Sequence, residues 1–254
     1  MMKSKTATHK NLNNGQKTEI LYPISDKEFK DQFYEVFEME HYQKGKIKKD
    51  AVIVDLGANI GLTALYFNGW FKEYYAVEPS LACFRALQEN TKSIDNIHLF
   101  NFAIGPTTGK GWLYQAVKNS VPQSFFGLDQ PIFGREKVKV VQMDRFLEEN
   151  KIDKVDVLKV DVESAEFIIF PSEAFKRAAG KIDCIIGEAH YNVGLMGIPQ
   201  TIPIILKEYG FKTKFVKLKK PNLEHVLFYK ETIDGKETEK KYVYSTSTIF
   251  FAQR

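Results

Sequence analysis

The fold is decided by residues 51–61, which read AVIVDLGANIG. The apolar start of this stretch, AVIVD over residues 51–55, is rich in valine and isoleucine and predicts a strand buried on both faces of a sheet. Gly57 and Gly61 then permit a tight turn and a close approach of the backbone to a ligand, and a helix is predicted over residues 60–68. A strand, a glycine-containing turn and a helix in this order predict the nucleotide-binding corner of a Rossmann-like sheet.

Strand-like and helix-like segments alternate after this corner, which predicts right-handed crossovers and a mostly parallel sheet with helices on both faces. The predicted strands cover residues 73–78, 97–103, 137–142, 155–160, 182–188 and 211–217, and the predicted helices cover residues 80–91, 144–150, 163–178 and 199–208. Residues 106–135 lack periodicity and predict a loop or hairpin. The end of the chain, residues 224–230 and 242–252 around Asp234-Gly235, predicts antiparallel strands and a hairpin turn. The predicted fold class is therefore α/β and Rossmann-like, with an antiparallel C-terminal strand.

Residues 1–45 precede this alternating region and predict a polar tail followed by a packing or lid helix. Over residues 26–42, phenylalanine and valine recur at helical spacing while acids and lysines occupy the other positions. We therefore expect two parts, residues 1–45 and a catalytic domain over residues 46–254.

Composition and charge restrict the class of partner. Lysine and arginine number 36 against 32 acidic residues, and the net charge of +4 is too small to indicate nucleic acid or an anionic membrane. Cys83 and Cys184 stand far apart without metal-binding or disulfide-like spacing, which favours a reducing compartment. The polar start has no signal-peptide core, and no run of about 18 apolar residues could span a bilayer. We expect a cytoplasmic protein without nucleic-acid or membrane partners, and a homo-oligomer is compatible with the sequence.

Two acids lie at the edge of the sheet where a cofactor is expected. Asp55 ends the first strand, where its carboxylate accepts hydrogen bonds from the loop or reaches a ligand ammonium directly or through water. Glu78 ends the second strand, close to the roughly 20-residue offset at which an acid binds ribose hydroxyls. These acids suit a ligand that has a ribose and a cationic amino-acid portion.

The loop itself separates two nucleotide-like cofactors. A dinucleotide site requires G-x-G-x-x-G, but Asn59 occupies the place of the second glycine, and its side chain would obstruct a pyrophosphate. S-adenosylmethionine (AdoMet) has no phosphate to accommodate. Pro79, Phe102 and Ala103 supply an apolar slot for adenine, with Asn101 as a polar neighbour. We expect AdoMet as the cofactor, and the alternative is an NAD(P)-dependent oxidoreductase.

A second segment adds to this pattern. Residues 158–166 read LKVDVESAE, in which a buried strand leads into the acids of the next helix. With VDLGANIG over residues 54–61, the chain resembles the FkbM family of methyltransferases, whose marks are V-D-x-G-A-N-x-G and a later L-K-x-D-x-E-G-A-E. The similarity covers roughly residues 45–190. Ser164 departs from the pattern, which usually has glycine there, and a serine at this position could cap the helix.

This resemblance implies a class I methyltransferase sheet, AdoMet as the methyl donor and, typically, O-methylation of sugar-like, polyketide or other small-molecule hydroxyls. After the fourth buried strand the chain has DVES rather than the Asn/Asp-Pro-Pro-aromatic pattern of methyltransferases that act on base amino groups, so nucleic acid is disfavoured. A non-catalytic module that binds AdoMet is a further alternative.

Several polar residues are expected to face the methyl acceptor. Methyl transfer to an alcohol needs a route for the hydroxyl proton, and His190 is the predicted base because imidazole titrates near neutral pH. Asp161 and Glu188 are predicted to act beside it, and Asp161 is also predicted to contact the cofactor. A purely structural role for His190 is equally compatible with the sequence. No metal site is assigned, and the alternative is that Asp161, Glu163, Glu188 and His190 converge on a divalent ion such as magnesium that orients a diol.

Overall fold

The computed structural model describes residues 5–10, 17–38, 42, 47–115, 134–191, 201–215, 226–233, 236–243 and 246–254. Its strands are β1 (Lys5–Lys10), β2 (Lys17–Tyr22), β3 (Ala51–Leu56), β4 (Phe71–Val77), β5 (Ile97–Phe100), β6 (Ala103–Ile104), β7 (Gly109–Gln115), β8 (Gly134–Val141), β9 (Val157–Val160), β10 (Cys184–Tyr191), β11 (Lys212–Phe215), β12 (Val226–Ile233), β13 (Lys236–Val243) and β14 (Thr246–Gln253). Its α-helices are α1 (Asp26–Phe33), α2 (Leu62–Phe67), α3 (Leu81–Thr91), α4 (Met143–Glu149), α5 (Glu166–Ile169), α6 (Glu173–Ala179) and α7 (Thr201–Glu208), and a π-helical turn covers Tyr34–Glu38.

The largest sheet has seven strands in the order β11-β14-β10-β9-β3-β4-β5. β14 runs antiparallel to both of its neighbours, whereas β10, β9, β3, β4 and β5 pair in parallel. The predicted α/β fold, mostly parallel with an antiparallel C-terminal strand, is therefore confirmed. The chain runs from β3 outward to β5 and then returns to β9 on the other side of β3. Open α/β sheets bind ligands at such a reversal, beside the carboxyl ends of the strands.

Two layers of apolar side chains cover the faces of this sheet. Ala51 and Ile53 of β3 pack in one layer, and Val54 and Leu56 pack in the other. Successive side chains of a strand point to opposite faces, and these four are at most 1% exposed. The first strand is thus buried on both sides, as its apolar composition predicted.

The prediction of one continuous helix over residues 163–178 is wrong. The structure has two short helices instead, α5 and α6, and Pro171 lies between them. Proline has no backbone N–H to donate, and its ring clashes with the preceding helical turn. Ser172 then caps α6 by accepting a hydrogen bond from the backbone N–H of Phe175.

The N-terminal segment also differs from the expected polar tail. β1 and β2 form an antiparallel pair, and Ile20 is completely buried. Asn90 on α3 accepts a hydrogen bond from the backbone N–H of Leu21 at 2.7 Å and donates to its carbonyl at 2.9 Å. The helix predicted over residues 26–42 is present as α1 and the π-helical turn, and residues 39–41 lie outside the described residues.

Two further antiparallel strand pairs lie outside the seven-stranded sheet. β7 and β8 pair antiparallel, in agreement with the hairpin alternative for residues 106–135, and residues 116–133 lie outside the described residues. β12 and β13 pair antiparallel from Val226↔Val243 to Ile233↔Lys236, and the predicted turn residues 234–235 lie outside the described residues. None of the helices in the described parts of the chain has the length and apolar content needed to cross a bilayer.

Candidate active site

The predicted site residues come from four strands whose carboxyl ends lie side by side. β9 pairs with β3 on one side and with β10 on the other, and β4 pairs with the far side of β3. The loop after β3, the acid after β4, the acids after β9 and the end of β10 therefore share one edge of the sheet. The residues placed at this edge are Asp55, Gly57, Asn59, Gly61, Glu78, Pro79, Asp161, Glu163, Glu188 and His190.

Gly57 and Gly61 shape the loop after β3, and both have the left-handed backbone that favours glycine. The φ angle is +78° at Gly57 and +89° at Gly61. A Cβ atom on Gly57 would lie 1.8 Å from the carbonyl oxygen of Asp161, and one on Gly61 would lie 2.8 Å from Leu87 Cδ1. A backbone carbonyl cannot move aside as a side chain can. Glycine at position 57 is therefore required for the loop to pass beside the end of β9.

A buried ion pair supports this loop. Asp55 is completely buried, its Oδ1 lies 3.0 Å from Lys159 Nζ, and its Oδ2 accepts a hydrogen bond from the Tyr74 hydroxyl at 2.7 Å. Lys159 Nζ also donates to the Gly57 carbonyl at 2.7 Å. Burial alone lowers the pKa of Lys159, but the carboxylates of Asp55 and Asp161 raise it above its usual value, so the lysine is charged. Of the two roles expected for Asp55, these contacts support the one in which it holds the loop.

Lys159 is a functional residue that the sequence analysis missed. It lies within β9, whose sequence is VLKV, and its side chain is 3% exposed. A buried ammonium group needs a carboxylate partner, because an unpaired charge inside a protein is very costly. A lysine inside an otherwise apolar strand was therefore the signal that could have linked this segment to Asp55.

Glu78 lies at the other side of the loop, and its carboxylate has hydrogen-bond acceptor sites that the described residues do not fill. Its Oε2 accepts a hydrogen bond from the backbone N–H of Asn59 at 2.8 Å, and its Oε1 accepts one from Ser80 at 2.7 Å. Burial raises the pKa of this carboxyl to about 7, although the two backbone hydrogen bonds act to lower it. A carboxylate offers about four lone-pair sites, so each oxygen keeps one for a further donor. Two neighbouring ribose hydroxyls fit this donor requirement.

Asn59 Oδ1 adds a second acceptor at the same place. This oxygen is buried and has no hydrogen-bond partner within the described part of the chain. A buried polar atom without a partner is uncommon and marks a place where a ligand or water is expected. The loop that was expected to hold AdoMet therefore presents acceptors from both Asn59 and Glu78.

The expected adenine slot is supported only in part. Asn101 Nδ2 donates to the carbonyl oxygens of Glu78 and Pro79, so its amide shapes the chain after β4. Phe102 is partly exposed and packs edge-on against Phe146, with ring centroids 5.7 Å apart. Ala103 is 3% exposed and belongs to a small buried apolar cluster, so its side chain is part of the core. Pro79 and Phe102 remain the residues proposed to contact adenine.

Four carboxylates surround the imidazole of His190. Nδ1 lies 3.3 Å from Glu166 Oε1, which is within hydrogen-bond distance. Nε2 lies 3.7 Å from Asp161 Oδ1, 3.7 Å from Glu163 Oε2 and 3.8 Å from Glu188 Oε1. We call these five residues the acidic cluster. The structure thus brings together Asp161, Glu188 and His190 as expected, and it adds Glu166, to which the sequence analysis assigned no role in the site.

The carboxylates determine the protonation of His190. Burial alone lowers the pKa of the imidazole, but the charges of Glu163, Glu166 and Glu188 raise it well above its usual value. This shift favours the protonated ring, and a protonated imidazole cannot accept a hydroxyl proton. These surroundings do not support the role of base predicted for His190. Burial raises the pKa of the Glu163 carboxyl, which makes a carboxylate of the cluster the better proton acceptor.

Two residues before position 46 interact with the acidic cluster, Tyr42 through a hydrogen bond and Glu35 through charge alone. The Tyr42 hydroxyl donates to Asp161 Oδ2 at 3.1 Å, and the tyrosine is buried. Burial and the negative charges of Glu188 and Asp161 raise the pKa of Glu35 to about 8. Tyr42 therefore forms part of the wall of the site, and the packing or lid role expected for residues 1–45 stays a prediction.

Ser164 has a backbone conformation that explains the family's preference for glycine. Its φ angle is +79°, in the left-handed region where a side chain is unfavourable. The residue at the N-cap of α5 is Ala165, so Ser164 does not take the capping role expected for it. The serine keeps the backbone path of the family's glycine, at a cost in strain.

The strand order and the glycine loop, together with the acid after β4, define a class I AdoMet-dependent methyltransferase. Residues 55–213 match the family described as the methyltransferase FkbM domain. The chain belongs to the FkbM methyltransferase family, as its two sequence motifs predicted. A comparison with curated proteins finds no match to the chain.

Solved structures with a similar fold include other methyltransferases. An AdoMet-dependent methyltransferase from Agrobacterium tumefaciens is 11% identical, with a TM-score of 0.51 over 98% of this chain and 70% of that chain. Precorrin-6y C5,15-methyltransferase from Geobacter metallireducens is 11% identical, with a TM-score of 0.46 over 85% of each chain. The YcgJ protein from Bacillus subtilis is 10% identical, with a TM-score of 0.45 over 84% of this chain and 99% of that chain. Identities this low support the fold alone.

Proposed function

We propose that this protein transfers the methyl group of AdoMet to a hydroxyl oxygen of a small, sugar-like or otherwise hydroxylated molecule. The observation that carries the proposal is the acidic cluster, which adjoins the cofactor loop through Asp161. The Asp161 carbonyl touches the loop at Gly57, and the Asp161 side chain belongs to the cluster. One residue therefore links the place of the methyl donor to the place of the acceptor.

The cofactor side follows from the contacts of the loop. Glu78 receives the two ribose hydroxyls, while Asn59 Oδ1 accepts a further hydrogen bond from the ligand. Asp55 and Lys159 hold the loop in place, and the close packing of Gly57 on β9 sets its position. Bound AdoMet supplies a methyl group on a positively charged sulfur, and the carboxylates nearby favour that charge.

The acceptor side follows from the chemistry of an alcohol. A hydroxyl group is a weak nucleophile, so its proton must leave as the new bond forms. A carboxylate of the acidic cluster accepts this proton as the oxygen–methyl bond forms and the carbon–sulfur bond breaks. His190, held by Glu166, keeps the carboxylates in place and balances part of their charge.

The same charges disfavour a nucleic-acid acceptor. Four carboxylates at the reacting end of the site repel a phosphate backbone, which nucleic-acid-binding sites instead contact with lysine and arginine. We also infer a reducing compartment such as the cytoplasm, because Cys83 and Cys184 are buried free thiols.

Membership of a methyltransferase family favours methyl transfer over the NAD(P)-dependent alternative, and a binding test separates the two directly. S-adenosylhomocysteine at saturating concentration should raise the Tm of the protein, whereas NADH should not. Glu78→Gln keeps the size of the side chain and should remove most of the shift. The matched control is Glu73→Gln on β4, the strand that precedes Glu78. Its partly exposed carboxylate pairs with His98, and the shift should be unchanged. A shift with NADH alone would contradict the proposal.

Turnover distinguishes an enzyme from a module that only binds AdoMet. Incubation with methyl-labelled AdoMet and a small-molecule extract should produce labelled products that contain a methyl ether. Products that carry the labelled methyl group only on nitrogen or carbon would contradict O-methylation. So would the absence of any labelled product from a protein that binds S-adenosylhomocysteine in the Tm assay.

A further inference from the structure

The two nitrogens of the His190 ring are in different surroundings. Nδ1 has one carboxylate oxygen within hydrogen-bond distance, Glu166 Oε1 at 3.3 Å. Nε2 faces three carboxylate oxygens at 3.7–3.8 Å, which is too long for a hydrogen bond to any of them. Metal-binding histidines typically donate one ring N–H to a carboxylate and direct the other nitrogen to the ion. The His190 ring has this arrangement of neighbours.

The spacing of the cluster fits ligand atoms around one ion. Single ligand atoms of Asp161, Glu163 and His190 all lie within 4.8 Å of one another. Bonds of about 2.1–2.3 Å to a common ion place two ligand atoms about 3.0–4.6 Å apart. A contraction of a few tenths of an ångström therefore brings the three into coordination. Glu188 Oε1, 3.8 Å from His190 Nε2, supplies a fourth ligand from the same strand as the histidine.

The charge of the cluster also favours a cation. Four carboxylates face one imidazole, and Lys159, which borders the cluster, lies 3.6 Å from Asp161 Oδ2 and pairs more closely with Asp55 at 3.0 Å. Glu166 is completely buried, and its Oε2 has no hydrogen-bond partner within the described residues. Glu188 is also buried, whereas the side chains of Asp161 and Glu163 are 24% and 47% exposed. Grouping buried carboxylates such as Glu166 and Glu188 costs free energy unless positive charge neutralises them.

We propose that the acidic cluster is a divalent-metal site. His190 Nε2 and the carboxylates of Asp161, Glu163 and Glu188 are the ligands, and Glu166 positions the His190 ring through Nδ1. A mixed set of one imidazole and three carboxylates suits Mn²⁺ or another first-row ion better than Mg²⁺ or Ca²⁺, which prefer oxygen ligands alone.

The role of the ion rests on the proposed function. Four protein ligands leave two positions on a six-coordinate ion, and two neighbouring oxygens of one molecule can fill them. The acceptor class then narrows to a hydroxyl beside a second oxygen donor, such as a vicinal diol or an α-hydroxy acid. Coordination would orient the reacting oxygen and lower the pKa of its hydroxyl, and a carboxylate ligand such as Glu163, bound to the ion through one oxygen, keeps its other oxygen to accept the proton.

Metal binding is measured on the full chain in the absence of AdoMet. Isothermal titration calorimetry with Mn²⁺ and with Zn²⁺ should show one ion per chain for the unmodified protein. His190→Gln and the conservative Asp161→Asn should each weaken binding more than about tenfold, at least the loss typical of an outer-shell partner. Glu173→Gln removes an exposed carboxylate on α6 and should leave binding unchanged. Thermal unfolding without metal confirms that each variant is folded.

The outcomes separate the metal site from the methyltransferase activity. Lack of stoichiometric binding of both ions, or binding that survives in both cluster variants, overturns the metal site and leaves a protonated histidine held by carboxylates. The Tm shift with S-adenosylhomocysteine is recorded on the same samples without metal. A Tm shift without metal binding supports the proposed function and refutes the metal site. Metal binding without a Tm shift supports the metal site and contradicts the proposed function.

Discussion

Replacing Lys159 with methionine tests how the loop after β3 is supported. The lysine side chain is 3% exposed, and its Nζ lies 3.0 Å from Asp55 Oδ1 and 2.7 Å from the Gly57 carbonyl oxygen. Methionine keeps much of the volume but removes the charge, so Asp55 is left as a buried carboxylate without its cation. Breaking a buried ion pair by removing one partner costs about 3–5 kcal/mol. At about 2–4 °C per kcal/mol, the expected loss in Tm is about 6–20 °C.

The partner variant is expected to be less harmful. In Asp55→Asn, the Tyr74 hydroxyl keeps an acceptor, and Lys159 keeps the Gly57 carbonyl and Asp161 Oδ2 at 3.6 Å. The expected loss is about 1–3 kcal/mol. The double variant Lys159→Met/Asp55→Asn should be at least about 1 kcal/mol more stable than Lys159→Met alone, because neither charge then remains unpaired.

Chemical denaturation of the four proteins gives the coupling free energy of the pair. The control is Lys176→Met, since Lys176 is exposed and 3.8 Å from Glu173, and no measurable change in Tm is expected. If Lys159→Met costs less than about 1 kcal/mol and the cycle shows no coupling, the ion pair does not hold the loop and the reasoning is refuted.

Three further predictions concern the same edge of the sheet. Burial raises the folded-state pKa of Glu78 to about 7, above the usual 4.5, so the contribution of this group to stability is present below pH 4.5 and is lost as the pH rises through 7. The loss is on the order of 3 kcal/mol. Across this pH range the Tm of Glu78→Gln should fall less steeply than that of the unmodified protein, and equal slopes would contradict the assignment. Ser164→Gly relieves a left-handed serine and should raise the free energy of unfolding by about 0.5–1 kcal/mol, since the strain of about 1–2 kcal/mol is offset in part by glycine's greater freedom when unfolded; denaturation that shows a loss would refute it. Gly57→Ala places Cβ 1.8 Å from the Asp161 carbonyl oxygen and should cost more than about 2 kcal/mol and abolish the Tm shift with S-adenosylhomocysteine, and an unchanged shift would show that the loop tolerates the displacement.

Neighbouring strands explain why part of the site could be predicted. Asp55 lies near the carboxyl end of β3, and Glu78 and Asp161 follow the two neighbours of β3 in the sheet, β4 and β9. The carboxyl ends of parallel strands meet at one edge. The positions of these acids relative to the strands were therefore enough to predict that they lie close together. Lys159 and Glu166 were missed because their meaning depends on partners far along the chain, Asp55 for the lysine and His190 for the glutamate.

Errors in the prediction also have local and non-local causes. The break at Pro171 was readable from the sequence, because proline cannot continue a helix past its preceding turn. The sequence could not predict that Ala103 is buried, or that the Asn101 amide donates hydrogen bonds to the Glu78 and Pro79 carbonyls. Both depend on how β6 and the chain after β4 pack against distant residues.

The amino-acid sequence by itself determined the strand, glycine turn and helix of the cofactor corner, and with them the fold and the family. Those features arise from burial of apolar residues and from backbone preferences that act over a few positions, as at Gly57 and Gly61. Only the tertiary structure decided that four carboxylates surround His190 and that Asp55 faces Lys159. Protonation and ion pairing depend on distances of a few ångströms between side chains on different strands, and those distances exist only after the sheet has formed.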